Sequence, residues 1–207
     1  MTTATTQGER ARSLTAASHA LDANALKLDE TSDGALLAWR PPDGGWSIAQ
    51  VFEHLVVAND DYLAAIQRAL DTRSPGTRGA FAATPWRPSI AGRLLVSSFE
   101  SPRKLRAPRM WRPAATARPN VIAEFLARQR RLVELIERST AFDWQRVRLA
   151  SPVSSLIRMN VGDAFAIVVT HAERHFRQIE RLRAGYEAGV IPALSFLDSG
   201  ASRLRSE

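Results

Sequence analysis

The chain has 207 residues, 45% of them apolar and 24% charged, which is enough for one well-filled core and a tight fit for two full domains. It contains no cysteine, so disulfides, thiolate metal ligands and a cysteine nucleophile are all excluded. No run approaches the roughly 18 apolar residues of a membrane span, and the opening segment lacks an apolar leader core, so a single cytoplasmic domain with no membrane association is expected. The net charge of +7 is unevenly spread. Residues 72–118 hold nine arginines and one lysine against a single acid, Glu100, an excess of +9, and the remainder of the chain is slightly acidic.

Taken in order, a loose polar tail over 1–8 precedes a first amphipathic helix over about 9–31, where Leu14, Ala17, Leu21, Ala25 and Leu28 recur at three- and four-residue steps. The segment RPPDGG breaks the pattern. Ser47 and Gln50 then form a capping box that opens a second helix over about 47–71, with Trp46 positioned to staple onto Val51. Its apolar face runs from Ile48 through Phe52, Leu55 and Tyr62 to Leu70. Residues 72–118 carry six of the eleven prolines and form a connector, with a short helix around SIAGRLLVSSF. Pro119 suits the first turn of a third helix that ends near Ser139, and Asn160 with Asp163 opens a fourth that runs to about Ala184 before Gly185. The intervening RVRLASPVSSLIRM fits either an extended excursion or a short helix, and a loose tail is expected from about 195 to 207. No segment is a good strand candidate. The expected fold is an all-α four-helix bundle with one long middle connection.

On the fourth helix, His171 and His175 fall on the same stripe as Val168, Ala172, Ile179 and Leu182. Two imidazoles on an apolar face need partners, because a buried polar group without one costs about 1–3 kcal/mol. His54 stands about 10 Å from the start of the second helix, and the pair stands roughly 14–20 Å before the end of the fourth. Antiparallel packing would bring the three rings to one level. Three imidazoles from two facing helices can coordinate one divalent cation and leave positions open for water or substrate; zinc and nickel both suit such a set. His19, on the first helix, reads as a surface or boundary residue.

The stretch GGWSIAQVFEHLVVAND followed by THAERHFRQIERL resembles the DinB-like superfamily, also described as YfiT-like metal-dependent hydrolases. The shared pattern is Trp-Ser opening the second helix, a histidine some eight residues on, and H-x-x-x-H with a trailing Gln-Ile on the fourth. The resemblance implies up-down-down-up helix order with a long crossover between helices two and three, which the 72–118 connector would supply. It also implies a metal triad falling on His54, His171 and His175. Among similar proteins are thiol-dependent S-transferases and isomerases that use bacillithiol, mycothiol or glutathione, and some are homodimers.

The function expected from these features is activation of a water or thiol nucleophile by the cation, for hydrolysis or S-transfer on a small-molecule substrate, with a low-molecular-weight thiol as a possible cofactor. Gln129, Gln178 and Glu53 are candidates for contacts around the site, Gln129 alternatively lying at a wet helix edge. Arg103, Arg106 and Arg109 are candidates for an acidic thiol or a substrate carboxylate. Two competing readings are a bundle that holds a cation for stability alone, and a nucleic-acid or anion binder built on the basic connector with Trp86 and Trp111 as stacking platforms. The nucleic-acid reading is the weaker, because no recognised motif accompanies the charge.

Overall fold

The computed structural model describes residues 5–101, 103 and 105–203, with side chains described as far as Gly189. Six α-helices and one hairpin follow in the order α1 (Gln7–Thr31), α2 (Gly34–Ala38), α3 (Ile48–Asp71), α4 (Ile90–Glu100), a 3-10 turn at Arg109–Trp111, α5 (Val121–Ser139), β1 (Arg148–Ser151), β2 (Ser154–Asn160) and α6 (Val161–Arg203). The all-α bundle expected from the sequence is present, built from α1, α3, α5 and α6, with α1 and α3 each packing against both α5 and α6.

Cross-helix pairs fix the helix directions. Arg118, just ahead of α5, meets Glu53, and within α5 Arg128 meets Asp60, Arg131 meets Gln67 and Arg138 meets Asp71; the order is the same along both segments, so α3 and α5 run parallel. A parallel pair requires a connector long enough to return the chain along the whole of α3, about 36 Å for its 24 residues. That requirement accounts for the 72–118 crossover. α3 and α6 run oppositely: His54, near the start of α3, meets His171, whereas Tyr62 reaches Ser151, ahead of α6.

Helix starts follow local chemistry. The Ser47–Gln50 capping box forms, with Ser47 Oγ accepting from Gln50 N–H at 3.2 Å and Gln50 Oε1 accepting from Ser47 N–H at 3.0 Å. Asn160 and Asp163 make the equivalent reciprocal pair at the head of α6, at 2.9 and 3.0 Å. The Asp163 carboxylate also accepts from Ser89 N–H, which fastens the start of α4 to the start of α6. Gly92 makes this contact possible, because a Cβ there would lie 2.3 Å from Asp163 Cγ.

Several boundaries differ from the sequence-based expectation. α1 begins at Gln7, ahead of the expected residue 9: Thr6 caps it in a second capping box, and the Gln7 side chain is buried, bonding Phe142 O and Trp144 N–H. Residues 1–4 and 204–207 lie outside the described part. Pro119 is not in the first turn of α5; Asn120 precedes that helix in the left-handed region at φ 57°, which asparagine tolerates. RVRLASPVSSLIRM is an antiparallel hairpin, so the expectation of no strand fails. Leu149 pairs with Met159 on the inward face while Arg148 points outward, and the register shifts between Ala150 and Ser151. α6 does not stop at Gly185 but continues to Arg203. Gly185 serves close packing instead of capping: a Cβ there would sit 3.2 Å from the indole of Trp39. The short α2, unforeseen in sequence, is capped by Asp33, whose carboxylate accepts from Leu36 N–H at 2.7 Å.

Candidate metal centre

His54, His171 and His175 meet in the interior between α3 and α6, their candidate donor atoms all within 4.8 Å of one another. His171 Nε2 lies 3.1 Å from His54 Nε2 and 3.1 Å from His175 Nε2. The other nitrogen of two rings faces a fixed partner. The Trp111 carbonyl accepts from His54 Nδ1–H at 2.7 Å, and the Gln178 side-chain oxygen accepts from His175 Nδ1–H at 2.9 Å. Both rings therefore carry their proton on Nδ1 and present a lone pair at Nε2. His171 Nε2 can donate a proton to one of its two neighbours and not to both, so at least one close contact has no hydrogen between its two nitrogens. A cation at the meeting point removes that conflict, and the donor set fits one.

Protons are a poor substitute for the cation. Burial is the main influence on all three rings, penalising the imidazolium form. It lowers His54 despite the Trp111 carbonyl, takes His175 down to about 3 with help from the neighbouring His54 charge, and holds His171 well below the usual histidine range. The cluster is thus neutral in the metal-free protein, the state in which imidazole binds metals.

Aromatic side chains wall the site. The Trp46 ring stands 5.0 Å from His54 and the Phe99 ring 4.9 Å from His171. Phe99 comes from the end of α4, and Arg174, set between the two α6 histidines in sequence, donates to the carbonyls of Phe99, Ser101 and Arg103. The connector is therefore tied to the helix that carries two of the three rings. Phe52 packs edge to face on both Phe125 and Phe176, which are tilted to each other, with centroids 5.4 to 5.8 Å apart.

A profile of the DinB superfamily matches residues 17–179, which takes in all three histidines, the whole of α3 and α5, and parts of α1 and α6. The chain belongs to the DinB superfamily. No curated protein and no solved structure gives a match. In this DinB-superfamily protein the remaining candidate residues are placed as follows. Gln178 faces His175. Glu53 is buried and turned to Arg118, 3.2 Å away, leaving the ring N–H of His54 to the Trp111 carbonyl. Gln129 is fully buried, and neither polar atom of its side chain has a partner among the described residues, so it lies in the core and not at a wet edge. Arg103, Arg106 and Arg109 are exposed on the connector between Phe99 and Trp111. His19 is exposed, 3.9 Å from Asp22.

Trp86 and Trp111 are both engaged within the fold. Trp86 donates to Asn160 and lies under the Arg10 guanidinium, while Trp111 is 5% exposed and donates to Asp61. Trp111, Phe99 and Arg174 were not singled out for the site from sequence. Phe99 lies 72 residues from His171 and Trp111 lies 57 from His54, with no periodic pattern linking them. Arg174 carried a signal, being a charge inside the HAERH motif, but its three carbonyl partners sit on the connector.

No helix among the described residues is long and apolar enough to cross a membrane.

Proposed function

We propose that this DinB-superfamily protein is a cytoplasmic metal-dependent enzyme. In it His54, His171 and His175 hold one divalent cation, zinc or nickel, for S-transfer to, or hydrolysis of, a small electrophilic substrate. The reading is carried by three buried Nε2 atoms that converge while two of the rings have their Nδ1 protons accepted from outside the cluster. Membership of the superfamily supports it. Bound there, a cation supplies Lewis acidity that makes a water or a low-molecular-weight thiol a competent nucleophile near neutral pH.

The protein's own groups prepare that chemistry. The Trp111 carbonyl and the Gln178 amide hold two imidazoles in one tautomer and orientation. Trp46 and Phe99 keep bulk water from the flanks of the cluster, which strengthens electrostatic interactions inside it. Arg103, Arg106 and Arg109 offer guanidinium groups for the carboxylates of an acidic thiol or substrate. Neither a recognised binding motif nor a free tryptophan face favours nucleic acid as the partner of these arginines.

The test is elemental analysis of protein purified without a histidine tag, beside His54→Ala, followed by a screen of thiols against electrophiles. Stoichiometric metal that is lost in the variant, together with thiol-dependent consumption of an electrophile, is expected. Metal retained in the variant would overturn the ligand set. Metal lost as expected but with no substrate consumed across the screen would leave a bundle that holds its cation for stability.

A further inference from the structure

His54 and Asp61 are seven residues apart on α3, so they lie about 10 Å apart along the helix with nearly the same azimuth. The 3-10 turn at Arg109–Trp111 runs beside that face. Trp111 bridges the two residues. Its carbonyl accepts from His54 Nδ1–H at 2.7 Å, and its indole Nε1–H donates to Asp61 Oδ2 at 2.7 Å. The ring also packs 5.9 Å from Tyr62. Arg109, Met110 and Arg112 on either side are exposed, so Trp111 is the residue by which this turn grips α3.

A backbone carbonyl orients an imidazole only as firmly as its own peptide is held. A peptide in a connector, attached at one point, can pivot about that point and carry the ring with it. The indole–carboxylate hydrogen bond provides a second attachment two helical turns away and removes the pivot. We infer, on the reading of the three histidines as a cation site, that Asp61 and Trp111 form a positioning pair for His54. Asp61 touches neither cation nor substrate; it acts through Trp111, and Trp111 acts through the ring of His54. Outer partners of metal-bound histidines typically contribute about 10- to 100-fold in metal affinity. The arrangement also links the seating of the connector to occupancy of the site, because the same contact serves both and linkage is reciprocal.

The experiment uses the full chain without a histidine tag, titrated with Zn²⁺ against a chromophoric chelator and with Co²⁺ for its electronic spectrum. Trp111→Phe keeps the carbonyl and removes the indole N–H; Asp61→Ala removes the acceptor; Asp61→Asn keeps an acceptor oxygen. Trp111→Phe and Asp61→Ala are expected to bind Zn²⁺ about 10- to 100-fold more weakly. Their Co²⁺ bands at saturation should shift, whereas Asp61→Asn keeps the wild-type affinity and spectrum. Zn²⁺ should slow tryptic cleavage after Arg103, Arg106 and Arg109 in the wild type and not in Trp111→Phe. Circular dichroism of the metal-free proteins checks folding, and if Trp111→Phe does not fold, the contrast between Asp61→Ala and Asp61→Asn decides. Wild-type affinity and Co²⁺ spectra in both disruptive variants, or equal loss in Asp61→Ala and Asp61→Asn, would overturn the positioning pair. A wild-type protein that binds no Zn²⁺ would instead remove the cation site on which the pair depends.

Discussion

Two sets of buried polar side chains sit in the interior of this bundle, and their hydrogen bonds are disposed in opposite ways. At the α3–α6 contact, three histidines from two helices point one nitrogen each at a common centre, and two of them have the other nitrogen held by a fixed oxygen. On α5, Gln129 is buried at least as fully, but its amide has no partner among the described residues. Both interrupt apolar stripes, so burial of a polar group is not what distinguishes a site. The distinction is convergence, with outer partners that leave lone pairs aimed inward. The histidine cluster gains from an added cation, whereas Gln129 bears an uncompensated desolvation cost.

The largest expected effect falls on the centre of the cluster. His171 Nε2 makes both of the close contacts, so His171→Ala should abolish stoichiometric metal binding. Elemental analysis of the purified variant checks this, and full occupancy would erase the contrast with Gln129.

The pH dependence of stability sharpens the comparison next. The folded histidines resist protonation, while in the unfolded chain they titrate near 6.5, so between those values the unfolded state binds more protons. The stability of the metal-free protein should therefore be fully present above pH 6.5 and decline toward pH 3, by on the order of a few kcal/mol. Denaturant titrations across that range, on His175→Leu beside the wild type, would show a smaller decline in the variant. Gln129 cannot titrate and contributes no such slope.

Gly92→Ala probes the seam between α4 and the head of α6. The added methyl must displace the Asp163 carboxylate, so a loss of about 1–3 kcal/mol is expected in denaturant unfolding. The smallest change should come from Gln129→Met, which removes an unpartnered amide at nearly constant volume. A gain of roughly 1 kcal/mol is expected. A loss of stability there, or a loss of turnover once a substrate is known, would show that Gln129 has an employment that its hydrogen bonding does not display.

Much of this architecture was legible in the sequence because it follows from local rules. The Ser47–Gln50 and Asn160–Asp163 caps, the stripe running from Ile48 to Leu70, and the shared face of His171 and His175 all arise within a few turns of one helix. The long crossover between helices two and three was implied by the family resemblance, and the 72–118 connector supplies it. What escaped depended on contacts between distant segments. Trp111, Phe99 and Arg174 acquire their meaning only when the crossover lies across α3 and α6. Gly185 has the local look of a helix stop, yet its lack of a side chain serves Trp39. A two-residue alternation in Arg146, Val147, Arg148 and Leu149 leads into the hairpin, but β1 has only four residues, too few to outweigh a helical reading without the partner strand.

X-ray absorption at the zinc edge of the tag-free protein loaded with one equivalent of Zn²⁺ tests the central claim most directly. Three imidazole nitrogens at about 2.0–2.1 Å are predicted in the wild type, and that shell should be missing in His54→Ala, which is expected to hold no stoichiometric zinc. A shell of oxygen donors with no imidazole scattering, or a spectrum unchanged in His54→Ala, would contradict it.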